Sequence, residues 1–323
     1  MAIKASVIVP TFGERAAYLQ DALLSIREQN FPAAEYEIII VDNSPSGAAA
    51  KIAEAFAGSA GPAIRYLRES GTGLLHARHA GARAALGDVV VFVDDDIIAS
   101  PDWLRTLLRA FDSSDVACAG GKAVPQWEAA IPPWYAQFDS GYLSLLDLGD
   151  ETRELKYPVC VWGCNMAVRK TALFETGGFN PDGIGDRKRI WLRGDGECGL
   201  QEKIARSGLR VIYEPEALVH HRIPSSRLTP EYFYWRFFIQ GILDSYVRVR
   251  QIGNRPFLTM RLLKHAAYCL VQAVRYYIAS VVHGDRRVRL RAEAWAWRGR
   301  GQHQLKTALS LELRDHVLRP SYL

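Results

Sequence analysis

Residues 87–103 read Gly-Asp-Val-Val-Val-Phe-Val-Asp-Asp-Asp-Ile-Ile-Ala-Ser-Pro-Asp-Trp, and this stretch decides the fold. Its centre, residues 89–93, is an unbroken run of β-branched and aromatic side chains, which predicts a strand covered on both faces in an α/β sheet. Ser100 and Pro101 then supply the cap and the first-turn proline of a helix. Three aspartates therefore stand at the carboxyl end of a buried strand, which is where open α/β sheets bind their ligands.

These three aspartates are Asp94, Asp95 and Asp96. Adjacent like charges repel each other unless cations neutralise them, and carboxylate oxygens are ligands that Mg²⁺ and Mn²⁺ prefer. The stretch therefore predicts a divalent-metal site, with an acidic surface turn as the alternative interpretation.

The charge of the chain is distributed unevenly along its 323 residues. The net charge is +5, but residues 1–221 carry 22 lysines and arginines against 29 acids, whereas residues 222–323 carry 18 against 6. The acidic part is typical of a site that collects cations, and the basic part indicates a surface that faces anions. Because 49% of the residues are hydrophobic, we expect one large α/β domain with an appendage.

The start of the chain and the cysteines indicate the cellular compartment of the protein. Met1 stands a few residues before the first predicted strand, which leaves no room for a signal peptide, and no window approaches 18 uncharged apolar residues. The five cysteines are odd in number and lack the paired spacing of a zinc site, which favours a reducing compartment. We therefore expect a soluble or peripheral cytoplasmic protein, the inner face of the cell membrane included.

Strands and helices alternate through the first part of the chain. Short strands are predicted at residues 6–10, 37–41, 64–67 and 89–93, with helices between them. This alternation predicts a Rossmann-like, mostly parallel sheet flanked by helices. The loop after the first strand has neither a full Gly-x-Gly-x-x-Gly fingerprint nor a Walker lysine, which counts against dinucleotide enzymes and P-loop NTPases. Later strands are expected at 116–124, 159–168, 209–213 and 217–221.

Further polar residues stand where such a sheet places its sites. Asp42 ends the second strand, where it contacts a nucleotide or closes an Asx turn. Asp195 and Glu197 precede a helix, and they act either as cap and dipole partner or as a catalytic carboxylate pair. The pair His220-His221 is a metal-ligand candidate or a structural feature.

Seven pieces of the sequence, taken in order, resemble the family 2 glycosyltransferases, an inverting group with the A-type fold. They are Val7-Ile8-Val9-Pro10-Thr11-Phe12, Ile39-Ile40-Val41-Asp42-Asn43-Ser44, Gly73-Leu74-Leu75-His76-Ala77-Arg78-His79-Ala80-Gly81, the stretch from Gly87-Asp88 through Asp96, Gly163-Cys164-Asn165-Met166-Ala167, Gly177-Gly178-Phe179 and Gly194-Asp195-Gly196-Glu197. The resemblance implies a catalytic domain over residues 1–223, with a nucleotide-binding half in 1–112 and an acceptor half in 113–223.

The resemblance also implies a nucleotide-sugar donor, most often a UDP-sugar, above the first half of the sheet. The residues that it implies in donor binding are Pro10, Thr11, Phe12, Glu14, Asp42, Gly73, Arg78, Asp94, Asp95, Gly163 and Asn165. It places the nucleobase of the donor at Asp42 and the diphosphate of the donor near Arg78. It implies that Asp94, Asp96 and His221 hold Mg²⁺ or Mn²⁺.

The residue types suit sugar transfer. A leaving nucleoside diphosphate develops negative charge that a divalent metal neutralises, and a carboxylate removes the proton of the attacking hydroxyl. The resemblance places the catalytic base at Glu197 or Asp195, and the assignment stays with the pair because the family usually has Glu-Asp where this chain has Asp-Gly-Glu. A direct displacement inverts the anomeric carbon. The expected acceptor is a carbohydrate or lipid-linked hydroxyl in polysaccharide, glycolipid or other glycoconjugate synthesis.

Residues 224–323 are predicted to form a basic helical extension. Residues 257–282 are amphipathic, and Lys264 and Arg275 exclude a membrane-spanning interpretation. One interpretation is packing on the catalytic domain or a homodimer. The other is a peripheral contact with anionic membrane or with a polyprenyl-diphosphate acceptor, which the arginines of residues 286–300 favour; no nucleic-acid partner is predicted.

Two other functions fit parts of the pattern. A sugar-phosphate nucleotidyltransferase shares the sheet and the metal carboxylate, but it needs a Gly-rich basic loop after the first strand, which residues 11–14 do not supply. A non-catalytic sugar-binding protein is the alternative from another class, and metal-dependent donor hydrolysis would exclude it.

Overall fold

The computed structural model describes residues 2–13, 15–56, 58, 60–71, 73–183 and 189–323. Glu14, one of the predicted donor contacts, lies outside the described residues.

The first part of the chain alternates strands and helices as predicted. Its elements are β1 (Ala5–Thr11), α1 (Ala16–Arg27), β2 (Tyr36–Asp42), α2 (Ala50–Phe56), β3 (Ala63–Arg68), α3 (Leu74–Ala84) and β4 (Val89–Phe92). The four strands are parallel and lie in the order β3, β2, β1, β4. β1, β2 and β4 are buried along their whole length, which explains why their sequences are continuous apolar runs.

The second part of the chain extends the same sheet with antiparallel strands. Its elements are β5 (Ile97–Ala99), α4 (Trp103–Arg109), β6 (Val116–Trp127), β7 (Arg153–Leu155), β8 (Met166–Arg169), α5 (Lys170–Glu175), α6 (Gly196–Arg206) and β9 (Arg210–Ile223). β8 lies antiparallel between β4 and β6, β6 pairs parallel with β9, and β5 and β7 pair antiparallel with β9. The α/β class is confirmed. The sheet as a whole is mixed, because β1 to β4 and the β6–β9 pair are parallel whereas the other pairings are antiparallel.

Two predicted strand boundaries differ from the structure. Residues 159–168 were expected to form one strand, but β8 begins only at Met166 and the residues before it form a loop. The two closing strands are one continuous strand, β9, whose residues between Glu214 and Val219 bulge where its register against β6 shifts between Gly121 and Ala123.

Four helices follow the sheet. They are α7 (Pro230–Ile252), α8 (Leu258–Val282), α9 (Arg287–Leu309) and α10 (Leu311–Leu318). α7 and α9 pack backbone to backbone, since a Cβ on Gly299 would lie 2.1 Å from the Phe238 carbonyl oxygen and one on Gly241 would lie 1.9 Å from that of Ala296. Glycine is therefore required at both positions for this approach.

α7 also packs against the sheet-bearing part of the chain. Phe233 and Phe237 lie with ring centroids 4.6 and 5.5 Å from that of Phe138, in an apolar cluster that includes Ile223 at the end of β9. The packing interpretation thus describes α7, whereas α8 leaves a broad apolar face exposed. Among the described residues, no helix combines the length and the apolarity needed to cross a bilayer.

Candidate active site

Asp94, Asp96 and His221 come together at the carboxyl end of β4. One ligand atom from each lies within 4.8 Å of the others. β5 holds the aspartates close to His221, because its first residue, Ile97, directly follows the aspartates and pairs with His221 on β9. His221 is buried and His220 is exposed, so the structure selects the second histidine for this cluster.

Asp96 lies between one histidine and two arginines. Its carboxylate lies 3.1 Å from His221 Nε2, 2.9 Å from Arg227 Nη2 and 3.2 Å from Arg15 Nη1. Burial raises the pKa of Asp96, but the hydrogen bond from His221 and the charges of Arg227 and Arg15 outweigh burial and lower this pKa to about 2. Asp96 therefore stays ionised, and a cation that binds it competes with these two arginines.

The cluster also fits a divalent metal in its donor types. Two carboxylates and an imidazole are an ordinary ligand set for Mn²⁺ or Mg²⁺. The Nδ1 atom of His221 is buried and has no hydrogen-bond partner within the described part of the chain. Burial raises the pKa of Asp94, and the nearby charge of Asp96 raises it further against the pull of Arg78. A bound cation would relieve this repulsion.

Asp95 points to a different partner. Its Oδ2 accepts a 2.5 Å hydrogen bond from the Thr11 hydroxyl at the end of β1. Burial raises the pKa of Asp95 to about 6, with the neighbouring aspartates adding to the effect. The middle aspartate thus ties β4 to the loop after β1, and Thr11 also accepts a hydrogen bond from Gly13 N at 3.1 Å.

Arg78 on α3 connects the acidic cluster to the second carboxylate group. Its buried guanidinium lies 3.9 Å from Asp94, 3.6 Å from Asp182 and 3.4 Å from Glu197. Gly163 makes room for it, since a Cβ at that position would lie 2.0 Å from Arg78 Nη2. One arginine therefore holds three carboxylates from separate parts of the sequence around one point.

Glu197 and Asp195 have different surroundings. Glu197 faces Arg78, and its Oε1 lies 3.4 Å from the Gly163 amide. Burial first, and then the charge of Asp182, raise the pKa of Glu197 to about 7 although Arg78 opposes them. Asp195 instead accepts a 2.7 Å hydrogen bond from the Asn180 side-chain amide. Its carboxylate does not cap α6, in contrast to the capping interpretation of the sequence.

A cavity of about 1080 Å³ joins these groups. Asp94, Arg78, Glu197 and Asp195 line it from the sheet side, and residues of α7 close it from the opposite side. The cavity therefore brings Asp94 of the metal-type cluster, a carboxylate with a pKa near neutrality and an open volume into one place.

Comparison with known proteins identifies the family. The sequence model described as Glycosyl transferase family 2 matches residues 6–174, more than half of the chain. The chain belongs to glycosyltransferase family 2. The first part of the sequence prediction, a glycosyltransferase with an A-type fold, is thereby confirmed.

Relatives extend the likeness of this glycosyltransferase beyond residue 174. A glucosyl-dolichyl phosphate glucuronosyltransferase of Haloferax volcanii is 26% identical over 250 residues, which are 74% of this chain and 75% of that protein. A mannosyltransferase from Pyrobaculum calidifontis, solved with GDP-Man and Mn²⁺, aligns over 97% of this chain and 78% of its own, with a TM-score of 0.56 and 18% identity. Residues 1–349 of S. aureus TarS, solved with UDP, align over 94% and 91%, with a TM-score of 0.51 and 16% identity.

Asp42, one of the predicted donor contacts of the glycosyltransferase, is hydrogen-bonded within the protein. Asp42 accepts hydrogen bonds from Ser44 N at 2.8 Å, Ala49 N at 2.9 Å and the Tyr66 hydroxyl at 3.0 Å. Burial raises the pKa of Asp42, but these hydrogen bonds outweigh burial and lower it. The Asx-turn interpretation is therefore realised, and a contact between Asp42 and the base stays a prediction.

Asn165 was expected near the donor sugar, but its amide is used inside the protein. Its Nδ2 donates to the carbonyls of Ala217 at 2.7 Å and Lys122 at 3.0 Å, and its Oδ1 accepts from Trp103 Nε1 at 2.8 Å. Asn165 fixes the loop that carries Gly163. The structure thus gives it a positioning role, and a contact between Asn165 and the donor stays a prediction.

The remaining predicted donor residues lie near the carboxyl ends of β1 and β2. Pro10 is buried within β1, and Phe12 after it is 45% exposed. Gly73 precedes α3 with φ of 120°, a left-handed backbone that favours glycine, and its amide donates to Asn43 Oδ1 at 3.0 Å.

Four side chains of the site were not predicted. Asp182 lies beside Arg78 and binds Arg193 at 2.8 Å, while Arg15 and Arg227 reach Asp96 from opposite ends of the sequence. The spacing of these charged loop residues gives no periodic signal. Of the four, Arg193 could have been suspected from the sequence, because it stands two residues before the candidate carboxylate Asp195.

A disulfide bond lies in the wall of the cavity. Cys160 and Cys198 are joined with their Cα atoms 5.7 Å apart, across 38 positions of sequence. The odd number of cysteines favoured a reducing compartment, and the disulfide of this pair does not follow from that expectation. The bond connects the loop before Gly163 to the first turn of α6, directly after Glu197.

Proposed function

We propose that this glycosyltransferase uses a divalent metal and a nucleotide-sugar donor, with UDP as the nucleotide, and inverts the anomeric carbon on transfer to an acceptor hydroxyl. The proposal depends on one observation. Arg78 links the metal-type cluster at Asp94 to Glu197 across a single cavity.

Asp94, Asp96 and His221 would hold the metal, which supplies Lewis-acid neutralisation of the leaving diphosphate. The solved structures that resemble the chain support this view, one with UDP and another with GDP-Man and Mn²⁺. The nucleotide is placed above β1 and β2, beside Phe12 and the Asp42 turn.

Glu197 is proposed as the general base. The acceptor oxygen forms a bond to the anomeric carbon while the bond from that carbon to the diphosphate oxygen breaks, and the diphosphate leaves with the electron pair. Glu197 takes the hydroxyl proton, for which a pKa of about 7 is well matched near neutral pH. Arg78 keeps Glu197 oriented toward the donor side of the cavity.

Calorimetric titration of UDP and GDP, with Mn²⁺, Mg²⁺ or a chelator, tests the donor and metal assignments. We expect UDP to bind only with a metal, and Asp96→Asn to lose this binding while it stays folded. Asp88→Asn is the matched control, because Asp88 is exposed at the opposite end of the same strand. Binding that survives the chelator contradicts the metal assignment, and tighter binding of GDP contradicts the choice of UDP.

We also propose that the glycosyltransferase works in the cytoplasm at the inner face of the cell membrane. The support is the exposed apolar face of α8, together with the excess of lysine and arginine in residues 222–323. The acceptor would then be a carbohydrate or lipid-linked hydroxyl.

A further inference from the structure

Asp182 and Glu197 form a pair of carboxyl groups in the wall of the cavity. The same atom of Arg78, Nη1, lies 3.6 Å from Asp182 Oδ2 and 3.4 Å from Glu197 Oε2, and both acidic side chains line the cavity. A hydrogen bond also joins the two acidic side chains to each other. Because a carboxylate can only accept, this hydrogen bond needs a proton on one member of the pair.

Two stretches of the chain lie side by side to make this pair. The Gly194 amide donates to the Pro181 carbonyl at 2.9 Å, directly before Asp182. Gly196, the residue before Glu197, has φ of 49°, and a Cβ on it would lie 2.8 Å from Asp182 Oδ2. Because glycine has no Cβ, Asp182 can lie against the start of α6.

The other oxygen of Asp182 is fixed by two donors. Oδ1 accepts hydrogen bonds from Arg193 Nη2 at 2.8 Å and from the Gly183 amide at 2.6 Å, which leaves Oδ2 toward Arg78 and Glu197. Burial raises the pKa of Asp182, but the charges of Arg193 and Arg78 outweigh burial and lower this pKa. Asp182 is therefore the member of the pair that stays ionised, and Glu197 is the member that carries the proton.

Helices α9 and α10 hold the loop that carries Arg193. His303 Nε2 donates to the Trp191 carbonyl at 3.1 Å, and His316 Nε2 donates to the Leu192 carbonyl at 2.9 Å. Both carbonyls stand directly before Arg193 in the chain. The helical extension thus fixes the position of Arg193 and, through it, the anchored oxygen of the aspartate.

Other charged or titratable side chains act on the pair from several elements. They are Arg78 on α3, Arg193 before α6, Arg236 and Tyr232 on α7, Cys164 in the loop before β8 and, beyond Arg78, Asp94 after β4. At Glu197, burial and then the charge of Asp182 outweigh Arg78 and raise the pKa to about 7. A fixed negative neighbour that accepts a hydrogen bond is what distinguishes Glu197 from an ordinary glutamate.

We propose that Asp182 is a positioning residue, which orients the carboxyl group of Glu197 and, by accepting its hydrogen bond, stabilises the proton that Glu197 takes from the acceptor hydroxyl. This inference rests on the proposed function, because Asp182 acts only through Glu197 as the base. One proton moves in each transfer. The O–H bond of the acceptor breaks, an O–H bond forms on Glu197, Asp182 stays ionised, and the proton passes to water when the products leave.

Infrared difference spectra along a pH titration test the pair without any substrate. We expect wild type to lose the band of a protonated carboxyl group as the pH rises through about 7. Asp95 titrates nearby, with a pKa of about 6, so the absence of the band from Glu197→Gln assigns it. In Asp182→Asn the midpoint should fall by about one pH unit or more, toward the ordinary value of 4.5. A midpoint that stays at about 7 in Asp182→Asn, or no such titration in wild type, overturns the inference.

Two further variants make the direction of the shift diagnostic. Arg193→Gln removes the cation that keeps Asp182 ionised, so the pair should hold its proton more tightly and titrate above about 7. Glu202→Gln removes a carboxylate from the same helix, where Glu202 pairs with Arg206, and should leave the midpoint unchanged. Arg193→Gln also carries the test if Asp182→Asn does not fold, and a fall of its midpoint overturns the inference.

Release of UDP from UDP-glucose or UDP-N-acetylglucosamine, with Mn²⁺, separates this inference from the proposed function. In Asp182→Asn we expect kcat on the alkaline plateau to fall about 10–10²-fold, the usual contribution of a hydrogen bond to a charged group. The acidic limb should move to lower pH, while calorimetric binding of UDP is kept. An equal fall at every pH, with the limb still at about 7, shows a structural role alone and overturns the inference. Near-normal turnover in Glu197→Gln instead removes the base, so the proposed function fails whatever the infrared titration shows.

Discussion

Glu197 and Asp195 stand two positions apart but have separable tasks. Glu197→Gln should lower kcat by about 10²–10⁴-fold, the usual contribution of a general base, with UDP binding intact. Asp195→Asn loses the charge that holds Asn180, so it should stay active and be destabilised by about 1 kcal/mol. Steady-state kinetics and chemical denaturation of both variants measure this split. The reverse pattern would make Asp195 the base, and near-normal turnover in both would remove the triplet from catalysis.

The pKa of Glu197 gives the direction of the pH dependence. A base works as the carboxylate, so kcat should rise as the pH increases through about 7. The folded pKa lies above the ordinary value of 4.5, so the folded state holds the proton more tightly. The stability that this group contributes is present below pH 4.5 and is lost as the pH rises through about 7. Glu197→Gln should lack this part of the stability profile, measured by thermal unfolding across the same range; an unchanged profile contradicts the assignment.

At the scale of elements, the loop before β8 sets the position of Arg78. Gly163→Ala would place a Cβ within 2.0 Å of Arg78 Nη2 and push the guanidinium away from Glu197 and Asp94. We expect a large fall in turnover and a loss of about 1–3 kcal/mol in the free energy of unfolding, as for other overpacked buried sites. Gly284→Ala is the control, because a Cβ there meets nothing within 4 Å. Unchanged kinetics in Gly163→Ala would show that Arg78 does not need its present position.

At the scale of the whole molecule, one face of α8 is exposed to solvent. It contains Arg261, Lys264 and Arg275 and no acidic residue, beside a row of exposed apolar side chains. We expect the protein to float with anionic liposomes at low salt, to dissociate at high salt and to ignore neutral liposomes. Sedimentation velocity tests the alternative, in which α8 forms a homodimer contact. A concentration-dependent dimer without liposome binding would favour the homodimer interpretation of this helix.

The sequence predicted those parts of the molecule that follow from local patterns. Asp94 and Asp96 were singled out because they stand at a strand end, where a sheet collects ligands, whereas His221 was chosen over His220 only from the family resemblance; the structure brings the three together. Asp42 and Asn165 stay predictions as donor contacts, because small polar residues beside strands serve loop hydrogen bonds as readily as ligands. Arg227, Asp182 and the Cys160–Cys198 bond escaped because only the packing of distant loops brings them together.

The two guanidinium groups on Asp96 have a consequence for the order of ligand binding. Arg15 and Arg227 both contact Oδ2 of Asp96, so Mn²⁺ entering alone must compete with them for this carboxylate and should bind weakly. A diphosphate gives both arginines a new partner, which frees Asp96 at the same moment. Nucleotide and metal should therefore show positive thermodynamic coupling, with UDP tightening Mn²⁺ binding by the same factor as Mn²⁺ tightens UDP binding. Paired titrations measure both factors, and in Arg227→Gln the isolated metal should bind more tightly while the coupling shrinks toward one.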